Sequence, residues 1–167
     1  IDTAGASHEV IDHLTRWNTA KQHGRRGRRV EYSIGWPVDE RTKTGIGQLT
    51  TAAWTNRLAT DGLPVPTEQV ADLTGILRHS RGGDRPEDLR VIVSRTPRPE
   101  RQQPALDEDP DWQYGAFVTN TVGGQLQWLD VRHRTQAHVE DNIKQLKAMG
   151  AAKLPTADAG RNAAWLQ

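Results

Sequence analysis

Apolar residues return at helical spacing in two stretches of this chain, and at close to alternating spacing in much of what lies between them. In the first stretch, Val10, Ile11, Leu14 and Trp17 share one side of a helix predicted over 8–22, with Ser7 placed to cap it and Gly24 to end it. In the second, Val139, Ile143 and Leu146 form the apolar stripe of a helix predicted over 133–149 (HRTQAHVEDNIKQLKAM), which ends at Gly150. Residues 29–37 (RVEYSIGWP) read as a strand with Val30, Tyr32 and Ile34 on one side. Two more strands are expected at 90–95 (RVIVSR) and 112–120 (WQYGAFVTN), and Asp61-Gly62 signals a hairpin. Residues 69–78 fit either a strand or a helix, and 50–56 one or two helical turns. TPRPERQQPALDEDPD is a Pro-rich, charged loop. Past Leu154-Pro155, Asp158 can cap a last helix running to Gln167.

A strand after a helix, followed by strands and then a long helix, predicts an α/β protein. Three segments follow: 1–37 with a helix and a core strand, a β-rich insertion over 38–127, and 128–167 with the long helix and a shortened C-terminal one. The apolar share is 35%, low for a globular domain, but six Trp supply core material. With no Cys, disulfides and thiolate metal sites are excluded. No apolar run reaches membrane-spanning length, so no membrane partner is expected and the cytoplasm is the expected compartment. A P-loop and a GxSxG elbow are missing from the sequence, which argues against ATP hydrolysis and triad hydrolases, and the histidines show no metal-ligand spacing such as HExxH.

A net charge of +1 does not call for a polyanionic partner, but its distribution is uneven. KQHGRRGRR at 21–29 concentrates cations and DEDPD at 107–111 concentrates acids. At about 100° per residue, His133, Gln136, Glu140, Lys144 and Lys147 fall on one stripe of the long helix, beside its apolar stripe. A carboxylate at the edge of a buried face, with cations a turn or two away, suits a metal-binding acid beside a phosphate path. The same spacing also describes an ordinary amphipathic helix with solvated charges. Asp141 points about 100° away and reads as a surface acid.

The segment DVRHRTQAHVEDNIKQLKAMGAAKLPTADAGRNAAWLQ resembles the end of the catalytic domain of bacterial insertion-sequence transposases of the Asp-Asp-Glu group. The opening, IDTAGASH, resembles the second acidic motif of the same family. The two matches lie at opposite ends of the chain, in the family's order. The resemblance implies a partial ribonuclease-H-like core interrupted by a β-rich insertion. It puts Asp2 at the second Asp position and Glu140 at the Glu position, as two of three carboxylates holding Mg²⁺ or Mn²⁺ in a two-metal site. The first Asp has no counterpart, so the chain is expected to be the C-terminal part of such a domain, cut at both ends and inactive alone.

Relatives flank the Glu with a Tyr, an Arg and a Lys, and here those positions hold His133, Gln136 and Lys147. Gln136 lacks the bidentate phosphate grip of Arg. Lys147, His133 and the run Arg25, Arg26, Arg28 and Arg29 are the expected DNA phosphate contacts. Related insertions carry an aromatic that stacks on a flipped base. Trp54, Trp112 and Trp128 are open to that role or to plain core packing. The expected partners are transposon-end and target DNA in the bacterial nucleoid, with a homodimer on paired ends. The alternative is a non-catalytic DNA-binding remnant or a decayed, truncated gene product.

Overall fold

The computed structural model describes residues 8–22, 29–79, 89–99, 104, 109–146 and 148. The chain divides into two compact units, with the boundary between His133 and Arg134.

In the first unit, helix α1 (His8–Gln22) precedes strand β1 (Ser33–Trp36) and helix α2 (Glu40–Gly47). Strands β2 (Thr55–Leu58) and β3 (Pro64–Asp72) follow, then the short helix α3 (Thr74–His79), β4 (Arg90–Pro97) and β5 (Trp112–Thr119). Helix α4 runs Leu126–Leu146, so its first eight residues belong to this unit and the rest to the second. The five strands form one sheet in the order β1-β5-β4-β3-β2, and every neighbouring pair is antiparallel. The protein is therefore mixed α/β. β1, which precedes the boundary expected at 37/38, is hydrogen-bonded to β5 with Ile34 opposite Val118. No described helix is long and apolar enough to cross a membrane.

Alternation along the central strands puts apolar side chains on both faces of the sheet. Val91 and Val93 of β4, Ala71 of β3 and Val118 of β5 join Ile11 of α1, Ile46 of α2 and Leu77 of α3 in one buried cluster. Ile92, Val70 and Phe117 point the other way and meet Leu129 of α4, with Leu126 packed beside them.

Local chemistry explains where the elements begin and end. α1 has the bounds expected from its periodicity. In 69–78, which fits two elements, the change from strand to helix falls at Asp72, whose Oδ1 accepts from the Thr74 backbone N–H at 2.9 Å. The Asp61-Gly62 hairpin joins β2 to β3. Leu63 N–H donates to Asp61 Oδ1 at 3.0 Å, and Gly62 takes φ +84°, a conformation open to glycine. Thr51–Ala53 forms a single 3₁₀ turn before β2. α2 was not anticipated, because ERTKTGIG carries one large apolar residue. It is capped by Asp39, which accepts from Thr42 N–H at 2.8 Å. Its Gly45 lies so close to α3 that a Cβ there would stand 3.3 Å from methyls of Leu73 and Leu77.

α4 starts at Leu126, seven residues before the sequence pattern suggests. Leu126, Leu129, Asp130 and His133 follow the i, i+3, i+4, i+7 spacing of a buried stripe, but two of the four are polar. Asp130 is buried and His133 half-buried, each with a polar partner on the sheet.

Candidate functional site

The first two turns of α4 cross the sheet from the β2 edge toward the β1 edge, as their contacts show. At the β2 end, Gln127 donates to Thr55 Oγ1 at 3.0 Å. One turn on, Asp130 receives two nearly parallel hydrogen bonds from Arg57 of β2, Nε to Oδ2 at 3.0 Å and Nη2 to Oδ1 at 3.1 Å. The same guanidinium reaches Glu68 of β3 at 3.1 Å through Nη1. Two ions removed from water are tolerated only when the fork geometry of Arg matches a carboxylate and leaves few donors unmet. This pair meets that condition.

At the β1 end, the His133 ring stacks on Phe117 of β5, with centroids 4.3 Å apart and planes 11° from parallel. Its Nδ1 lies 3.1 Å from Ser33 Oγ on β1. Arg132 leaves the helix about 100° around from His133. It donates to Thr121 Oγ1 at 2.7 Å and pairs with Glu31 at 3.2 Å, and its guanidinium stands 5.0 Å from the Trp128 ring. Arg29 donates to the Asn120 carbonyl at 3.2 Å. The buried Asn120 side chain in turn accepts from Tyr32 N–H and donates to the Val30 carbonyl, both at 2.9 Å, so it holds the approach to β1.

On the opposite face, near the other end of the strands, the Arg95 guanidinium lies between two indoles, 4.2 Å from Trp54 and 4.4 Å from Trp112. Its Nε donates to Gln69 Oε1 at 2.8 Å, and Nη2 bonds the same oxygen. Beside it, Tyr114 donates its phenol to Asp109 Oδ2 at 2.8 Å, while Asp109 Oδ1 caps the backbone N–H groups of Asp111 and Trp112. Burial and then the Asp109 carboxylate push the Tyr114 phenol up to about 12.

Of the residues singled out in the sequence, His133 and Arg29 are described with their contacts. Arg29 bonds to the β5–α4 connection, whereas His133 packs on β5 and β1. Glu140 falls within α4, as the spacing requires, but its side chain lies outside the described residues, as does that of Gln136. Asp2, Arg25, Arg26, Arg28, Lys147 and the helix expected after Asp158 also lie outside them, together with the caps at Ser7, Gly24 and Gly150. Among the described residues, no three His, Asp or Glu side chains converge so as to hold a metal ion. Arg57, Asp130, Asn120 and Arg132 were not anticipated as organising residues. Asp130 carried a signal: it is an acid at a position that helical spacing assigns to the buried stripe with Leu126 and Leu129.

Trp54 and Trp112 have a face each turned to Arg95, whereas Trp128 is half exposed on α4. No family model matches the chain, and neither does any curated protein or solved structure.

Proposed function

We propose that this chain is part of the catalytic domain of an insertion-sequence transposase, acting on DNA by metal-dependent phosphoryl transfer. The observation that carries the reading is the helical setting of Glu140. The acid lies inside α4, a 21-residue helix that follows an antiparallel, β-rich stretch, and seven residues before it His133 stands where relatives carry a Tyr. The finer architecture in this reading is a partial ribonuclease-H-like core, with the β-rich segment inserted between the second Asp motif and the Glu helix. The donor chemistry suits a hard divalent ion, since Asp2 and Glu140 both offer carboxylate oxygens. Mg²⁺ or Mn²⁺ bound there would supply charge neutralisation at the scissile phosphate. His133, seated between Phe117 and Ser33, stabilises the start of the helix that carries the acid.

The partners in this reading are element-end and target DNA, handled by a homodimer in the bacterial nucleoid. The test is a cleavage assay with the protein expressed from its whole reading frame, using supercoiled plasmid that carries the flanks of the gene. Nicking that needs Mg²⁺ or Mn²⁺ and is lost in Glu140→Gln and Asp2→Asn is the expected result. Metal-dependent nicking that survives both substitutions, or no nicking at all, would overturn the reading.

A further inference from the structure

Among the Asp and Asn residues of the chain, only Asp61 is followed by glycine. An aspartyl side-chain carbon can close a small ring with the nitrogen of the next residue, and a glycine there puts no side chain in the way. The pair sits at the tip of the β2–β3 hairpin, where every residue from 60 to 64 is exposed. Space around Gly62 is open: a Cβ added there would meet nothing within 4 Å. The tip therefore has room to rearrange.

In the closed hairpin both reacting groups are held. Gly62 N–H donates to the Ala59 carbonyl at 3.0 Å, and Asp61 Oδ1 accepts from Leu63 N–H at 3.0 Å. Ala59 N–H donates to the Leu63 carbonyl at 2.8 Å and closes the loop. A turn over 59–62 that ends on Gly62 at φ +84° is a common three-residue hairpin connection. Ring closure requires the Gly62 N–H to leave Ala59 and its nitrogen to swing toward Asp61 Cγ, so opening comes first. Exposed loop tips are the parts of a fold that open most easily.

We propose that Asp61-Gly62 is a site of spontaneous isoaspartate formation, gated by opening of the β2–β3 hairpin, and that the product loosens the hold of β2 on α4. In the open tip the Gly62 nitrogen attacks Cγ of the neutral Asp61 carboxyl. The N–Cγ bond forms, the bond from Cγ to the hydroxyl oxygen breaks, and the hydroxyl leaves as water with the proton of the nitrogen. The resulting succinimide takes up one water. Addition at Cγ restores aspartate. Addition at the main-chain carbonyl carbon of Asp61 breaks its bond to the Gly62 nitrogen and leaves the chain running through Cβ and Cγ. One water leaves and one enters, with no oxidant or reductant.

The isoaspartyl link adds one carbon to the main chain. The loop that sets Leu58 opposite Pro64 and Arg57 opposite Val65 then no longer fits that register. Arg57 is the β2 residue whose guanidinium holds Asp130 of α4, so a slipped hairpin weakens that pair.

The experiment incubates the protein, expressed from its whole reading frame, in mildly acidic buffer beside a peptide spanning residues 57–66. Isoaspartate is located by methyltransferase labelling, peptide mapping and mass spectrometry. Over roughly ten half-times of the peptide, the protein is expected to form isoaspartate at residue 61 about tenfold more slowly than the peptide does, the slowing of a loop tip that opens easily. In urea the two rates converge. Asp61→Glu, which would need a larger ring, forms none. The isoaspartyl fraction, separated by ion exchange, melts below the parent. Its deficit shrinks in the background Arg57→Met with Asp130→Leu, where there is no ion pair to lose. No isoaspartate at residue 61 of the folded protein, conversion as fast as in the peptide, or rates that stay apart in urea would overturn the gated site. An aged fraction that melts with the parent, or an equal deficit in both backgrounds, would overturn the link to α4.

Discussion

Asp130 of α4 and Arg57 of β2, 73 residues apart in the chain, share two hydrogen bonds of 3.0 and 3.1 Å with both side chains almost wholly removed from water. The pair joins the helix to an edge strand. Truncating one member strands the other charge in the interior. Asp130→Ala is expected to destabilise the fold by about 3–5 kcal/mol in urea unfolding, and Arg57→Ala by a similar amount. Replacing both at once, as Arg57→Met with Asp130→Leu, should recover most of the loss, because the desolvation cost disappears with the attraction. A double variant as unstable as the sum of the singles would show that the pair does not act as a unit.

His133 carries a stability role whatever it does for a ligand. His133→Ala removes the stack on Phe117 and the hydrogen bond with Ser33, and should cost roughly 1–2 kcal/mol. His133→Phe keeps the ring contact and should lose roughly half as much, since the Ser33 hydroxyl then lacks this partner. An unchanged urea midpoint in His133→Ala, with weakened DNA binding, would instead make the ring a phosphate contact with no structural part.

Asp72 links stability to acid pH. Burial pushes its carboxyl up, but hydrogen bonds from Thr74 and Arg90 and the charge of Arg90 outweigh it, and the group sits below its ordinary 3.8. A depressed folded-state value means that the contribution is present above the unfolded pKa and is lost as pH falls through the folded one. The stability gap between the parent and Asp72→Asn should therefore be widest near neutrality and close as pH drops below 3.8. A gap that stays constant down to pH 2 (roughly two units under the ordinary carboxylate range) would contradict the assigned pairing.

Tyr114 gives the matching signal at alkaline pH. The chain has two tyrosines, so their ionisation can be followed by ultraviolet absorbance in the folded protein. Tyr114 should ionise near 12, against an ordinary 10, and Asp109→Asn should bring it down. A raised folded-state value contributes stability that is full below 10 and lost as pH rises through about 12. If Tyr114 ionises near the ordinary 10 without unfolding, the Tyr114–Asp109 bond is not maintained.

Much of the layout was legible in the order of residues, because a helix or a strand is closed by neighbours along the chain or by simple alternation. The bounds of α1, the strands at 90–97 and 112–119, and the Asp61-Gly62 turn all follow from local spacing. The helical setting of Glu140 was legible for the same reason. α2 was not, since its helix rests on the Asp39 cap and on Gly45 lying against Leu73 and Leu77, contacts made with α3. The start of α4 was hidden because Asp130 and His133 look like solvent-facing residues until Arg57, Ser33 and Phe117 are brought to them. The Trp residues looked alike in sequence. Trp54 and Trp112 came to hold Arg95 between them, and Trp128 came to stand in solvent beside Arg132. A polar side chain becomes buried, or an aromatic one stays exposed, according to what distant strands place opposite it. Local spacing can mark such a position, as it does for Asp130, but it does not name the partner that meets it.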